Sequence, residues 1–523
     1  MMTKRLFLYL LGLVSVMGLL TSCAKEDKFT QISSLSFSGA PSSMAPGQTH
    51  KLQVKTFPAG ADEPYTLVFT SSKPTVASVD ELGTITALQD GQTVITVSLK
   101  DRPEVKAELT LTVETIEITG VEFTKKVSTL FIGQTFSVST RVLPENATES
   151  GAVEYTSSQP EVATITQTGY ITALEAGTTI ITVTVKEHPE IKAEFTLEVK
   201  QLYKAPKNTQ FRKVGYFPSY RSITAMSDEY LQMLDVACYA FAEMNDDYTL
   251  TIQQPAKFQQ LVDRCKSLGV KVVICFYGGG SSHEKYVKMV ASPENRAKFI
   301  ASLKTIVETY DLDGVDNDWE YPKTSDNSHT GNTALMRELS AWLHDPAVNK
   351  LLTMAITPGV YEGAVSNGIE TECFDYVDWF NIMCYDSYLG WADKKPEDLP
   401  LEMLTISYNY WVVKRSMPKY KFVGGISVYG RPSDEKNNGT AFTYSGILAQ
   451  GGDPDGYKAH VSSSSYTGDV YYNGRTFVQK KTRYCIDQGV GGIMFWEVGQ
   501  DVSDDRSLVK AAYDELDGYT DLP

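Results

Sequence analysis

Asp313-Gly314-Val315-Asp316-Asn317-Asp318-Trp319-Glu320-Tyr321-Pro322 sets three acidic residues at every second position. Alternate side chains of a β-strand share a face, so Asp316, Asp318 and Glu320 line up on one side. Val315 and Trp319 then face the other way, as residues of a buried strand do. Three carboxyls this close cannot all ionise, and a proton kept in the row raises the pKa of the outermost acid. A carboxyl that holds its proton near neutral pH can serve as a general acid, which makes Glu320 the candidate proton donor. An acidic Ca²⁺ loop is the competing reading. It fits poorly, because Val315 and Trp319 suit a strand interior and the EF-hand pattern with its glycine is absent.

Around this stretch, short apolar runs alternate with helical patterns, as parallel βα units do. Strands are predicted at Val214–Phe217, Val236–Ala242, Val270–Phe276, Gly314–Glu320, Leu352–Thr357, Trp379–Tyr385, Phe422–Val428 and Gly491–Trp496. Amphipathic stretches at Phe258–Leu268 and Pro293–Tyr310 lie between some of them. Eight such strands within residues 206–523 predict an α/β (β/α)₈ TIM barrel, entered through a linker at Lys204–Asn208. Glu320 then emerges at the C-terminal mouth, where barrel enzymes do their chemistry.

Residues upstream repeat themselves. Ser71-Ser72-Lys73-Pro74 returns as Ser157-Ser158-Gln159-Pro160, and Gly83-Thr84-Ile85-Thr86-Ala87-Leu88 as Gly169-Tyr170-Ile171-Thr172-Ala173-Leu174. Both pairs are 86 residues apart, as are Gly47-Gln48-Thr49 and Gly133-Gln134-Thr135. Alternating Val, Ile and Thr between Gly and Pro turns predicts two all-β, Ig-like sandwiches of about seven strands each, at 33–115 and 116–200. They could bind a glycan or surface partner, or hold the following domain away from a membrane. Neither repeat shows an aromatic binding stripe, which favours the spacer.

The first residues read as an address. Lys4 and Arg5 precede an apolar Leu6–Leu20, too short to span a bilayer comfortably, and small residues follow. Residues 1–22 are predicted to be a signal peptide, cleaved before Cys23, with 23–32 as a lipid-anchored linker. Leu20-Thr21-Ser22-Cys23 resembles a bacterial lipobox, which implies lipidation of Cys23. Lys25-Glu26-Asp27 resembles the signal that sends Bacteroidetes lipoproteins to the outer face of the outer membrane. The implied location is the cell surface, with membrane contact through the lipid only.

A formal charge of −16 opposes nucleic-acid binding, which rests on neutralising phosphates. The chain has seven cysteines without a CxxC pair, and its six histidines lack ligand spacing, so neither metal nor cofactor is expected. Cys238, Cys275 and Cys384 sit in apolar runs and read as buried thiols. The 30 tyrosines suit sugar rings as well as ordinary packing, since Tyr presents a flat apolar face with a polar edge.

The acidic stretch resembles the DGxDxDxE signature of glycoside hydrolase family 18, the chitinases and related endo-β-N-acetylglucosaminidases. Gly215-Tyr216-Phe217, Met383-Cys384-Tyr385-Asp386, Gly424-Gly425-Ile426-Ser427-Val428-Tyr429-Gly430-Arg431 and Gly491-Gly492-Ile493-Met494-Phe495-Trp496-Glu497 resemble the family's strands one, six, seven and eight, in order. The upstream repeats resemble bacterial Ig-like group 2 domains. The resemblance implies a surface enzyme, expected to be a monomer, that cleaves β-1,4-linked N-acetylglucosamine glycans, chitin or chitooligosaccharides, with retention. The nucleophile is then the substrate's own acetamido carbonyl, and the intermediate an oxazolinium ion. Glu320 protonates the glycosidic oxygen in this scheme, Asp318 holds the acetamido N–H, and Asp316 shares a proton with Asp318. Tyr385 and Asp386 orient the acetamido group, and Trp496 forms the apolar floor. Tyr216, Arg431 and Met383 are further substrate-side candidates, as are Tyr388 and Trp391 in the loop after strand six.

Three departures from the family pattern stand out. Cys275-Phe276-Tyr277-Gly278-Gly279-Gly280 lacks the strand-three Ser that supports the inner Asp in the family, leaving Asp316 without that partner. Asn317 is polar where the family is apolar, and burying it alone costs about 1–3 kcal/mol. The insertion near 431–472 is short for the domain that walls the cleft in processive relatives, which predicts a shallower groove and endo-type or short-oligomer action. The competing readings are an endo-β-N-acetylglucosaminidase acting on the chitobiose core of N-glycans, a catalytically silent glycan-binding barrel, and an adhesin working through the repeats.

Overall fold

The computed structural model describes residues 29–149, 151–224, 226–386, 401–434, 436–437 and 439–517. The predicted signal peptide, Cys23, Tyr388 and Trp391 lie outside the described residues. Internal contacts divide the chain into two units, Met1–Val199 and Lys200–Pro523.

The first unit is built twice from one plan. Each repeat has a four-stranded sheet, a three-stranded sheet and a two-stranded ribbon, connected in the same order. Alternation sends Ile85, Ile95, Val97 and Leu111 inward in the first repeat, and Ile171, Ile181, Val183 and Leu197 take the same places in the second, all fully buried. Nine short strands replace the seven expected per repeat, Ser34–Ser38 to Arg102–Val113 and Gly120–Lys125 to His188–Lys200. One cause is that an edge segment switches sheets at a buried apolar residue: Leu52 parts Thr49–Lys51 from Gln53–Phe57, and Val138 parts Thr135–Ser137 from Ser139–Leu143. The shared Ser-Ser motif also has a structural job. Thr93 Oγ1 is buried and accepts the Lys73 amide at 2.9 Å, and Ser71 and Ser72 sit on the same hydroxyl. Thr179 repeats this with Gln159, Ser157 and Ser158.

The second unit is a closed barrel of eight parallel strands. They are β1 (Arg212–Pro218), β2 (Val236–Met244), β3 (Lys271–Tyr277), β4 (Gly314–Asp318), β5 (Leu351–Ile356), β6 (Trp379–Ile382), β7 (Phe422–Ser427) and β8 (Gly492–Trp496). Each pairs with its neighbour, and β8 closes the ring on β1 through Val214 opposite Met494. Predicted strand positions hold to within a few residues. β6 is the exception: it ends at Ile382, so Met383, Cys384 and Tyr385 lie beyond it. The helix expected at 293–310 runs Pro293–Tyr310, started by Pro293 and by Ser292, whose side chain accepts the Asn295 amide.

Two apolar layers result. Val214, Cys238, Val273, Cys275, Trp379, Val423 and Met494 pack together inside the ring. Phe258, Leu261, Phe299, Leu303, Leu339 and their neighbours fill the space between strands and helices. All six described cysteines are buried and free. At the N-terminal end, the Arg212 guanidinium stacks 4.7 Å from the Trp379 ring, and Lys421 Nζ donates to the Phe374 and Val377 carbonyls at 2.7 and 2.6 Å. Burial pulls the Lys421 amine down to about 8. The predicted linker is fastened to the barrel: Lys204 pairs with Asp375 at 2.7 Å, and the Ser340 hydroxyl donates to the Tyr203 carbonyl at 2.7 Å.

Candidate active site

Strand β4 decides the site. Gly314 begins it because a Cβ there would lie 2.2 Å from the Leu351 carbonyl, so only glycine lets β4 and β5 approach this closely. Asp316 and Asp318 then point into the ring, and Glu320 follows the strand's end at the mouth. Tyr216, Asp318, Glu320, Tyr321, Ala355, Pro358, Met383, Tyr385, Asp386 and Trp496 line a cleft of about 160 Å³. Of the sequence candidates among the described residues, the cleft thus gathers Asp318, Glu320, Tyr385, Asp386, Trp496, Tyr216 and Met383. Arg431 reaches it through Asp386, and Asp316 lies beneath it.

Asp316 is fully buried, and four strands supply its hydrogen bonds. Tyr216 of β1 donates its hydroxyl to Oδ2 at 2.7 Å, and the Cys275 thiol of β3 lies 3.1 Å from the same oxygen. Thr353 of β5 and Asn381 of β6 donate to Oδ1 at 2.5 and 3.2 Å. Cys275 therefore stands in for the missing Ser, and its thiol stays protonated because burial and the Asp316 charge push it well up. Burial raises the Asp316 carboxyl, while these four donors pull it down. Asp316 thus takes four neutral donors from other strands, which the expectation of a proton shared between Asp316 and Asp318 did not count.

Asp318 is the opposite case. It is 4% exposed, and its Oδ1 has no hydrogen-bond partner among the described residues. Its carboxyl is driven well above the ordinary range, first by burial, then by Glu320 and by Asp316. Glu320 is raised by burial and by the Asp386 charge, against a hydrogen bond from Tyr321. Both outer carboxyls, Asp318 and Glu320, are thus raised, which favours a protonated acid at the mouth end of the row.

Asp386 is held from outside. Its Oδ1 accepts the Tyr429 hydroxyl at 2.5 Å and Arg431 Nε at 2.6 Å, and its Oδ2 accepts Arg431 Nη2 at 3.0 Å. A bidentate guanidinium neutralises this carboxylate and fixes its plane. Tyr385 is half-buried beside it, and its phenol is pushed well up, first by burial, so it remains a neutral donor. Trp496 meets Tyr216 edge to face at 5.5 Å and stacks on Phe241 at 6.1 Å. Asn317, on the outer face of β4, has its partners: Nδ2 donates to Asn332 at 3.1 Å, and Oδ1 accepts the Trp319 amide at 3.1 Å.

Sequence reasoning missed Thr353, Asn381, Tyr429 and Tyr321. Thr353 lies outside any acidic or aromatic run, Asn381 follows Trp379 and Phe380, and Tyr429 stood in the strand-seven motif without a role; each acts across the barrel. Tyr321 was quoted in the motif without a role; its place directly after Glu320 was the available signal.

A (β/α)₈ barrel whose fourth strand delivers a proton-holding carboxyl row to its C-terminal mouth defines a glycoside hydrolase. The profile of glycosyl hydrolases family 18 matches residues 212–501, and that of the bacterial Ig-like domain (group 2) matches 32–110 and 117–195. The chain belongs to glycosyl hydrolases family 18. Among its relatives, a probable chitinase 10 of Drosophila melanogaster is 26% identical over 366 residues, 58% of this chain and 16% of that one. The chain thus spans only a small part of that relative's length. A class V chitinase of Medicago truncatula is 27% identical over 288 residues, 48% of this chain and 74% of that one. A solved chitinase from the chitin utilization locus of Flavobacterium johnsoniae aligns at 26% identity with a TM-score of 0.48, covering 59% of this chain and 94% of that one.

Proposed function

We propose that the barrel hydrolyses β-1,4-linked N-acetylglucosamine glycans, chitin or chitooligosaccharides, with retention and with the substrate's acetamido oxygen as nucleophile. The carboxylates carry this reading. Three line the cleft: Glu320 just past the end of β4, Asp318 at that end, and Asp386, held in a bidentate ion pair by Arg431. Among the described lining residues, none stands free opposite Glu320 to attack an anomeric carbon. A retaining reaction here needs its nucleophile from the sugar.

The steps follow from the proton's location. Glu320, raised by burial, gives its proton to the glycosidic oxygen as the bond breaks. As the acetamido carbonyl closes on the anomeric carbon, positive charge spreads over the forming ring. Asp318 accepts the acetamido N–H through its unpartnered Oδ1, and its charge becomes stabilising as that of the ring develops. The Tyr385 hydroxyl donates to the acetamido oxygen and aims it. Trp496 supplies an apolar floor, excluding water until the leaving sugar has gone. Glu320 then deprotonates the water that opens the intermediate.

The short insertion near 431–472, with one helix at Tyr444–Ala449 and one hairpin at Lys458–Ser462 and Thr467–Tyr471, favours a shallow groove and endo action. The Cys23 lipobox and the repeats make a surface anchor and spacer part of the same proposal. Its test is hydrolysis of labelled chitooligosaccharides beside a high-mannose glycoprotein, with Glu320→Gln as control. The expected result is oligosaccharide turnover that falls roughly 10²-fold or more in the variant. Release of N-glycan alone would move the assignment to the chitobiose core, and binding without turnover would make the barrel a lectin.

A further inference from the structure

Directly after Trp496, the chain buries a carboxyl that the mechanism does not use. Glu497 is fully buried, and its Oε1 accepts Arg221 Nε at 2.7 Å. Arg221 belongs to the turn after β1, where its amide donates to the Pro218 carbonyl at 2.9 Å. Oε2 has no hydrogen-bond partner among the described residues, while Gln500 and the Gly499 amide lie near the carboxyl and pull it down against burial. A Cβ on Gly499 would lie 2.9 Å from both Glu497 Oε2 and Arg221 Cβ, so the pair is seated on a glycine. On its outer side the Arg221 guanidinium covers the Tyr220 ring at 5.4 Å.

Burying a carboxylate is costly even when it is paired, and an apolar residue of similar size would pack at less cost. What the ion pair adds is direction. The Trp496 ring meets Tyr216 edge to face at 5.5 Å and stacks on Phe241 at 6.1 Å, and it also packs against the cluster of Tyr429, Tyr471 and Phe477. The pair ties the end of β8 to the turn after β1, across the seam where the barrel closes.

We propose that Arg221 and Glu497 are a positioning pair that fixes the Trp496 platform beneath the reacting sugar, which rests on the function proposed above. Ground-state binding is spread over the whole cleft. Cyclisation of the acetamido group instead needs the anomeric carbon, Asp318 and Glu320 in one fixed geometry. A platform free to tilt therefore costs turnover more than affinity, because a misplacement on the order of 1 Å can cost about 10²-fold in rate.

The test uses the full chain and its Arg221→Met, Arg221→Lys and Glu497→Gln variants. On chitotetraose, Arg221→Met and Glu497→Gln are expected to lower kcat by roughly 10- to 10²-fold with KM changed by less than about threefold. Arg221→Lys restores part of the loss by restoring the charge. In 5-fluorotryptophan-labelled protein, the Trp496 resonance, assigned with Trp496→Phe, broadens in Arg221→Met and sharpens again in Arg221→Lys. An unchanged Trp496 resonance in Arg221→Met overturns the inference, as does a loss of activity that only tracks the unfolded fraction. Wild type that cleaves no chitotetraose defeats the proposed function instead, and the fluorine spectrum still decides the role of the pair.

Discussion

Asp318→Asn exchanges a buried carboxyl for an amide of nearly the same shape, at a site where Oδ1 has no hydrogen-bond partner. In the wild type this carboxyl lies well above its unfolded value because of burial, Glu320 and Asp316. A raised carboxyl contributes stability that is complete below its unfolded pKa and is lost as pH rises toward its folded pKa. The loss amounts to about 1.4 kcal/mol for each pH unit of that interval, so between pH 4 and 7 it cannot exceed about 4 kcal/mol. The amide does not titrate and removes this term. The variant and the wild type should therefore unfold together near pH 4, and the variant should gain as pH rises. A domain of this size converts each kcal/mol to roughly 2 °C, so several degrees are expected at neutral pH. Turnover should fall about 10²-fold or more, because an amide carries no charge to offset that of the intermediate. The assay is calorimetry of the barrel's transition from pH 4 to 8, beside hydrolysis of chitooligosaccharides. A stability difference that is flat with pH, or a variant that weakens relative to wild type as pH rises, would mean that folding does not raise the Asp318 carboxyl.

Tyr216→Phe removes the 2.7 Å donor to Asp316 and the 2.9 Å acceptor of Asn381. A hydrogen bond to a charged group is worth about 1.5–3 kcal/mol. Its loss raises the Asp316 carboxyl, and the acid limb of the kcat–pH profile moves to higher pH. Arg431→Met leaves the Asp386 charge unneutralised beside Glu320, which that charge already raises. Glu320 then keeps its proton to higher pH, and the basic limb of the same profile moves up. Gly425→Ala places a Cβ 2.4 Å from the Ile382 carbonyl and 2.9 Å from Tyr385 Cε1. The expected cost is about 1–3 kcal/mol of stability together with a lower kcat, read by thermal unfolding and initial rates.

Much of this site was legible in one strand. Alternation alone puts Asp316, Asp318 and Glu320 in a row, and the flanking apolar runs announce the barrel that exposes the last of them. The 86-residue period likewise announces two copies of one sandwich. What the sequence hides is which long-range partner completes each polar group. Thr353 and Asn381 are unremarkable polar residues until β5 and β6 close beside β4. Asn317, an oddity in the motif, finds Asn332 one helix later. Cys275 reads as a hydrophobe and works as a donor, because the ring sets it 3.1 Å from Asp316. Asp386 is next to Tyr385 in sequence, yet its charge is governed by Arg431, 45 positions away. The expectation that Asp316 and Asp318 share a proton likewise counted the carboxyls of one strand and not the donors that Tyr216, Cys275, Thr353 and Asn381 bring to Asp316.

In this mechanism the sugar supplies its own nucleophile. Chitotetraose and its fully de-N-acetylated counterpart, offered to the same preparation, test it most directly. The first is expected to give β-configured products and the second none, because its amines have no carbonyl to attack with. Comparable cleavage of both substrates would contradict it, and would require a protein carboxylate or an activated water in place of the acetamido oxygen.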